Sequence, residues 1–186
     1  MRVFFIAPIY KYYPQIVPSL LAQTYKDWRL LLFHDGPEIG PLKSQVEAFN
    51  DSRVELAWTD QRYNDWGHSL RAIGLRFAKD ADFIVHTNAD NYYVPDFCNQ
   101  MVHAFREDTV AVYCDMVHSY YSWGILPAKI RFGKIDCGAV MFRAKPALEV
   151  GWPSRVFAAD WVMINAVHQK YPEKFEYIPR PLFVHN

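Results

Sequence analysis

The chain has 186 residues, about one domain at ~150 residues apiece, and enough to bury a core without disulfide or metal staples. With 51% hydrophobic and 22% charged residues it is not a disordered chain. Twenty Lys and Arg cancel twenty Asp and Glu, so nucleic-acid or anionic-membrane binding driven by bulk charge is not expected.

From the N-terminus, residues 3–7 form a short apolar run rich in β-formers, stopped by Pro8, and predict a buried strand. Residues 14–24 carry Ile16, Val17, Leu20 and Leu21 at helical spacing, with Pro14 suited to a first turn. Residues 28–33 predict a second buried strand, halted by the turn cluster His34-Asp35-Gly36-Pro37. A helix over 41–49, a strand over 53–58 and an amphipathic helix over 67–79 follow. A strand over 83–85 then runs into the polar stretch from His86 to Asn91. Strands alternating with helices imply an α/β fold with a mostly parallel central sheet flanked by helices.

The second half reads as a helix over 95–106, a strand over 110–117, and an aromatic, Gly/Pro-punctuated stretch over 119–134 with no clear assignment. Residues 136–143 predict a strand and 160–170 a helix. Two prolines in 178–184 restrict that segment to an edge strand or an extended tail. No internal repeat or low-complexity linker divides the chain, so a single domain over 1–186 is expected. The apolar N-terminal run is too short for a secretory leader, and no stretch approaches the ~20 apolar residues of a membrane span. Cys98, Cys114 and Cys137 form no C-x-x-C pair, which argues against a disulfide framework or structural zinc. A soluble, cytoplasmic protein with reduced thiols is the expectation.

In a parallel α/β sheet, ligands bind beyond the carboxyl ends of the strands. Three predicted strands end in polar or turn-forming clusters, at Pro8–Lys11, His34–Gly36 and Thr87–Asn91. Side by side, these bring Asp35 and Asp90 to one cleft, where a carboxylate can accept from a ligand N–H or hold a hard cation. The alternative is local: Asp35 nucleating an Asp-Gly turn and Asp90 capping the next helix.

The stretches IAPIYK (6–11), SLLAQTY (19–25) and WRLLLFHDGP (28–37) resemble glycosyltransferases of family 2, which have the GT-A fold. Gly67, Ser69, Arg71, Gly74 and Leu75 resemble the next block of that family. Thr87-Asn88-Ala89-Asp90 sits where the family carries its metal-binding Asp-x-Asp. CGAVMFR (137–143) and Ala159-Asp160-Trp161 resemble the later G-x-x-x-F-R segment and the acidic catalytic motif. His34 and Asn88 stand where the family has Asp, Ala72 stands where it has Asn, and Asp160 lacks the Glu that often precedes it.

The resemblance implies a metal-dependent, inverting transfer of a sugar from a UDP-, GDP- or dTDP-sugar to an acceptor hydroxyl. It implies a nucleotide-sugar-binding half over about 1–93 and an acceptor-binding half over about 94–186. Ala7, Pro8, Tyr10, Asp35, Arg71, Asn88, Ala89 and Asp90 are then the nucleotide-sugar contacts. Pro8 and Tyr10 flank the base, Asp35 accepts from its ring N–H, and Arg71 approaches the diphosphate. Asp90 and His185 are implied ligands of a divalent cation, Mn or Mg, and Asp160 is the implied general base. The competing expectation is a catalytically silent nucleotide-sugar-binding or scaffold protein on the same fold, favoured by Asn88 and the short chain. His68, His86, His103, His118 and His168 share no ligand spacing and read as packing or surface residues. Trp152 and Trp161 read as core or acceptor pocket; Tyr120, Tyr121 and Trp123 read as surface or sugar-stacking residues.

Overall fold

A computed structural model describes residues 1–153 and 155–186. Its strands are β1 (Val3–Ile9), β2 (Trp28–His34), β3 (Val54–Trp58), β4 (Phe83–His86), β5 (Tyr92–Tyr93), β6 (Ala111–His118), β7 (Gly124–Leu126), β8 (Val140–Arg143) and β9 (Phe175–His185). The helices are α1 (Ile16–Leu21), α2 (Leu42–Glu47), α3 (His68–Gly74), α4 (Phe97–Ala104), α5 (Ala144–Val150) and α6 (Ala159–Lys170).

All the strands join one sheet in the order β3-β2-β1-β4-β8-β6-β9-β5, with β7 hydrogen-bonded beside β6. Parallel pairing links β3, β2, β1 and β4, and also β6 and β9. Because β8 runs antiparallel to both β4 and β6, the strands β1, β2, β3, β4, β6 and β9 all point the same way.

The period of two explains why β1 is apolar throughout. Val3, Phe5, Ala7 and Ile9 face a core shared with Ile16 and Leu20 of α1 and Phe97 and Met101 of α4. Phe4 and Ile6 face the opposite core, shared with Leu70 of α3, Ala147 of α5, and Met163, Ile164 and Val167 of α6. Between helices on both faces, a strand residue of either parity is removed from water.

Two local expectations are corrected. The helix expected over 14–24 is confined to Ile16–Leu21, because Gln23 turns inward. Its amide donates to the Ser19 and Val94 carbonyls (3.1 and 2.7 Å), and its Oε1 accepts the Cys98 N–H (2.9 Å). The strand expected from 136 begins only at Val140; Cys137–Ala139 form a 3₁₀ turn after Asp136, whose Oδ1 accepts the Gly138 N–H at 2.7 Å. Helix α5 and the short strands β5 and β7 carry too little periodic sequence to be read beforehand.

The edge strand expected over 178–184 is part of a longer one, β9, which pairs with β6 along its length and is covered on its other side by β5 only at Phe183 and Val184. Its register against β6 jumps from Cys114–Ile178 to Asp115–Pro181, so Pro179 falls in a bulge and Pro181 at its end. There a missing N–H breaks no regular ladder bond, and among the described residues no strand pairs with the far side of β9 at either proline, as an edge position allows. Among the described residues no helix is long and apolar enough to cross a membrane.

Candidate active site

The common direction of the six strands places the ends of β1, β2, β4, β6 and β9 at one edge of the sheet, together with the start of the antiparallel β8. A cavity of about 720 Å³ opens there. Pro8, Tyr10, Asp35, Arg71, Asn88, Ala89, Asp90, Asp160 and His185 all line it. Ala7 does not; its methyl is buried in the core one residue below.

Asp35 is already engaged, taking the Tyr63 N–H on Oδ1 (2.8 Å) and the Asn64 N–H on Oδ2 (2.7 Å). Each oxygen retains a lone pair for a ligand donor. The two backbone bonds fix the carboxylate at the end of β2 and tie the 63–64 loop to it.

Arg71 is buried. It donates through Nη1 to the Trp66 carbonyl (3.1 Å), and through Nη2 to the Thr87 carbonyl (3.1 Å) and to Asn88 Oδ1. Its guanidinium lies 5.2 Å from the Trp152 ring centroid. Gly67 makes this approach possible. It has φ +78°, and a Cβ there would fall 2.5 Å from Pro8 Cβ and 3.1 Å from Arg71 Nη1. Gly67→Ala is therefore expected to destabilise the fold by about 2 kcal/mol or more, measured by urea denaturation. An unchanged midpoint would show that β1 and α3 can separate freely.

Five acidic or imidazole groups, Asp90, His118, Asp136, Asp160 and His185, line the same cavity. Burial raises the Asp90 carboxyl above its usual range, and its Oδ1 is sequestered without a hydrogen-bond partner among the described residues. His185 Nε2 lies 3.8 Å from Asp136 Oδ2, its ring stacks on His118 at 4.1 Å between centroids, and its buried Nδ1 likewise has no partner. Asp160 is pushed up to about 6, first by burial and then by the negative charge of Asp136. The Trp161 N–H and Arg71 oppose the shift without cancelling it. Asp160 is not a helix cap: Ala158 holds that position, and Asp160 sits inside the first turn of α6.

Asp136 and His118 belong to this site, and neither stands out in the sequence. Asp136 had one readable signal, a glycine two residues on, which favours an Asx turn rather than a strand start. His68 and Trp152 also line the cavity, their rings stacked at 5.8 Å. Trp161 and Tyr120 join its wall, whereas Tyr121 and Trp123 lie outside it. His86 is buried beneath, its pKa lowered to about 3 by burial and by Arg71, so it is neutral.

Among the described residues, no three His, Cys, Asp or Glu side chains are grouped closely enough to hold a metal ion by themselves. The unpartnered Asp90 Oδ1 and His185 Nδ1 nonetheless suit a hard or borderline cation that takes its remaining ligands from a bound diphosphate.

A mixed α/β sheet covered on both faces, with carboxylates and a buried arginine at the strand ends, is the GT-A glycosyltransferase fold. S. aureus TarS 1–349 superposes with a TM-score of 0.79 at 12% identity, over 100% of this chain and 60% of that one. The same protein in complex with UDP-GlcNAc gives 0.80 at 13% identity, covering 99% and 58%. The mannosyltransferase PcManGT from Pyrobaculum calidifontis, in complex with GDP-Man and Mn2+, gives 0.77 at 18% identity, covering 99% and 56%. The chain thus spans about three fifths of the length of these structures. No curated protein matches it. The profile of glycosyl transferase family 2 matches residues 6–178, and the chain belongs to that family: it is a glycosyltransferase domain.

Proposed function

We propose that the chain transfers a sugar from a UDP-, GDP- or dTDP-sugar to a carbohydrate or other hydroxyl acceptor, in one displacement that inverts the anomeric carbon. The observation that carries this reading is Asp160, a half-buried carboxylate that lines the cavity and has its pKa pushed up to about 6. A base so poised is ionised at neutral pH and still accepts a proton readily. Asp160 takes the proton of the acceptor hydroxyl. The acceptor oxygen bonds to the anomeric carbon from the face opposite the leaving group, and the bond from that carbon to the diphosphate oxygen breaks.

Pro8 and Tyr10 would border the base, and Asp35 would accept from its ring N–H beside the two backbone bonds it already holds. Arg71 acts from below rather than by reaching out. Its charge is fixed against Thr87 and Asn88, beside which a diphosphate would lie, and needs no reorganisation during transfer. Asp90 and His185 would hold a divalent cation, Mn or Mg, which supplies Lewis-acid stabilisation of the leaving diphosphate. Residues 1–93 would then serve mainly the donor and 94–186 the acceptor, with Asp160 and His185 meeting the donor from the second half. The three buried, unpaired cysteines fit a reducing, cytoplasmic setting.

A second reading, a silent nucleotide-sugar-binding protein, is favoured by one observation: Asn88 lacks a charge, and its amide oxygen is taken by Arg71. Donor chemistry separates the two. UDP-, GDP- and dTDP-sugars with Mn are expected to raise the melting temperature, and one of them to be hydrolysed slowly without acceptor. Stabilisation with no turnover by any donor would favour the silent protein. His185→Ala is expected to weaken Mn-dependent stabilisation several-fold; an unchanged Mn titration would leave the imidazole a packing residue.

A further inference from the structure

Charge is distributed unevenly around the cavity. Its lining holds four carboxylates, Asp35, Asp90, Asp136 and Asp160, against two cations, Arg62 and Arg71. Between Asp115 and Asp136, by contrast, the twenty residues 116–135 contain Lys129, Arg131 and Lys134 and no acidic residue, in a chain of zero net charge. This segment leaves the sheet at the end of β6, returns as β7, and closes with a tight loop in which Lys129 and Lys134 are hydrogen-bonded through their backbones (3.0 Å). The loop docks on the preceding turn, with Lys134 Nζ 3.4 Å from Tyr121 Oη and 5.0 Å from the centroid of that ring.

The segment forms one lip of the cavity. Tyr120, Phe132 and Gly133 line the opening, and Phe132 meets Trp161, the residue after the proposed base, edge-on at 6.5 Å. Tyr120, Trp123 and Phe132 are 85, 56 and 63% exposed, far more than such rings need to be for packing. Lys129 and Arg131 are exposed too, and among the described residues none of the three cations is in an ion pair. Exposed aromatic rings offer stacking faces to sugars, and unpaired Lys and Arg offer charge to phosphate or carboxylate.

We propose that residues 118–134 bind an anionic glycan chain as acceptor, bearing phosphate or carboxylate groups, with its reacting hydroxyl entering past Phe132 towards Asp160. The donor diphosphate is met by Arg71 and the cation, whereas Asp136 and Asp160 on the acceptor's path would repel such groups, so only the neutral hydroxyl end enters while the charged repeat stays on the lip. This assignment rests on the transferase reading above.

The test measures binding of polygalacturonate, a phosphodiester-linked glycan, neutral dextran and anionic phospholipid vesicles by Trp fluorescence. Wild type is compared with the variant Lys129→Gln/Arg131→Gln/Lys134→Gln. Wild type is expected to bind at least one anionic glycan and not dextran, with affinity falling as salt rises. The variant is expected to bind that glycan about tenfold more weakly, the scale of three exposed charge contacts. Its nucleotide-sugar stabilisation should be unchanged, which also shows that it is folded. Equal glycan affinity in variant and wild type, or equal affinity for dextran, would overturn the assignment, as would tighter lip-dependent binding to vesicles than to either glycan. Those outcomes leave nucleotide binding intact. Absence of nucleotide-sugar stabilisation in the wild type would instead overturn the transferase reading beneath it. Preference for polygalacturonate or for the phosphodiester chain identifies which anion the lip takes.

Discussion

Asp160→Asn is expected to lower transfer at least ~100-fold, the low end for loss of a general base, while donor binding persists. The amide keeps the shape of the carboxylate and can still accept the Trp161 N–H, but it takes no proton. The wild-type rate should fall as pH drops through about 6, where Asp160 becomes protonated. Stability should move the other way. The folded protein holds the Asp160 proton more tightly than the unfolded chain, whose carboxyl titrates near 3.8. Below that value the group is protonated in both states and contributes nothing. Between about 4 and 6 stability is lost as pH rises, and above 6 the full penalty is present. That penalty is about 2–3 kcal/mol at 1.36 kcal/mol per pH unit. Asp160→Asn should therefore be more stable than wild type at pH 7.5 by roughly this amount and about equal at pH 4, measured by urea denaturation. Near wild-type turnover in Asp160→Asn would remove it as the base. A variant less stable at pH 7.5 would mean that the carboxylate is held by a partner rather than merely buried.

The second large effect is expected at Asp90. Its unpartnered, buried Oδ1 has no structural bond to lose, so Asp90→Ala should fold with a melting temperature at or above that of wild type. Mn with a saturating nucleotide sugar should raise the wild-type midpoint by about 5–10 °C, as ~2.7 kcal/mol at a hundredfold excess over Kd implies for this size. In Asp90→Ala the Mn-dependent part of that shift should vanish. If it survives intact, the cation is held elsewhere, and Asp136 and His185 become the residues to replace next. Asn88→Asp is the informative companion. It restores the missing charge beside Arg71, and Mn affinity should rise unless the Arg71 bond retains the new carboxylate.

The N-terminal α/β half was legible because its signals are local. Buried parallel strands such as Val3–Ile9 must be apolar on both faces, and the polar clusters that end them mark the strand ends where a ligand binds. Pro8, Asp35 and Asp90 could be placed at one edge from that logic alone, and the family motifs ordered the remainder. What the sequence could not convey depends on partners distant in the chain. Pro179 and Pro181 restrict that segment to an edge locally, but only the bulge opposite Asp115 lets β9 pass them, continue along β6 and carry His185 beside Asp136, 49 positions away. Arg71 read as a hand extended to phosphate. Only the carbonyls of Trp66, just before α3, and Thr87, just after β4, brought to one guanidinium, make it a buried, fixed charge. Asp160 is the implied base on its motif alone, and the start of α6 at Ala159 places it inside the first turn rather than at the cap. Burial beside Asp136 then raised its pKa towards neutrality. Residue type and spacing determined which groups are present and which strand ends carry them. Burial and charge proximity, properties of the folded chain alone, decided what those groups are poised to do.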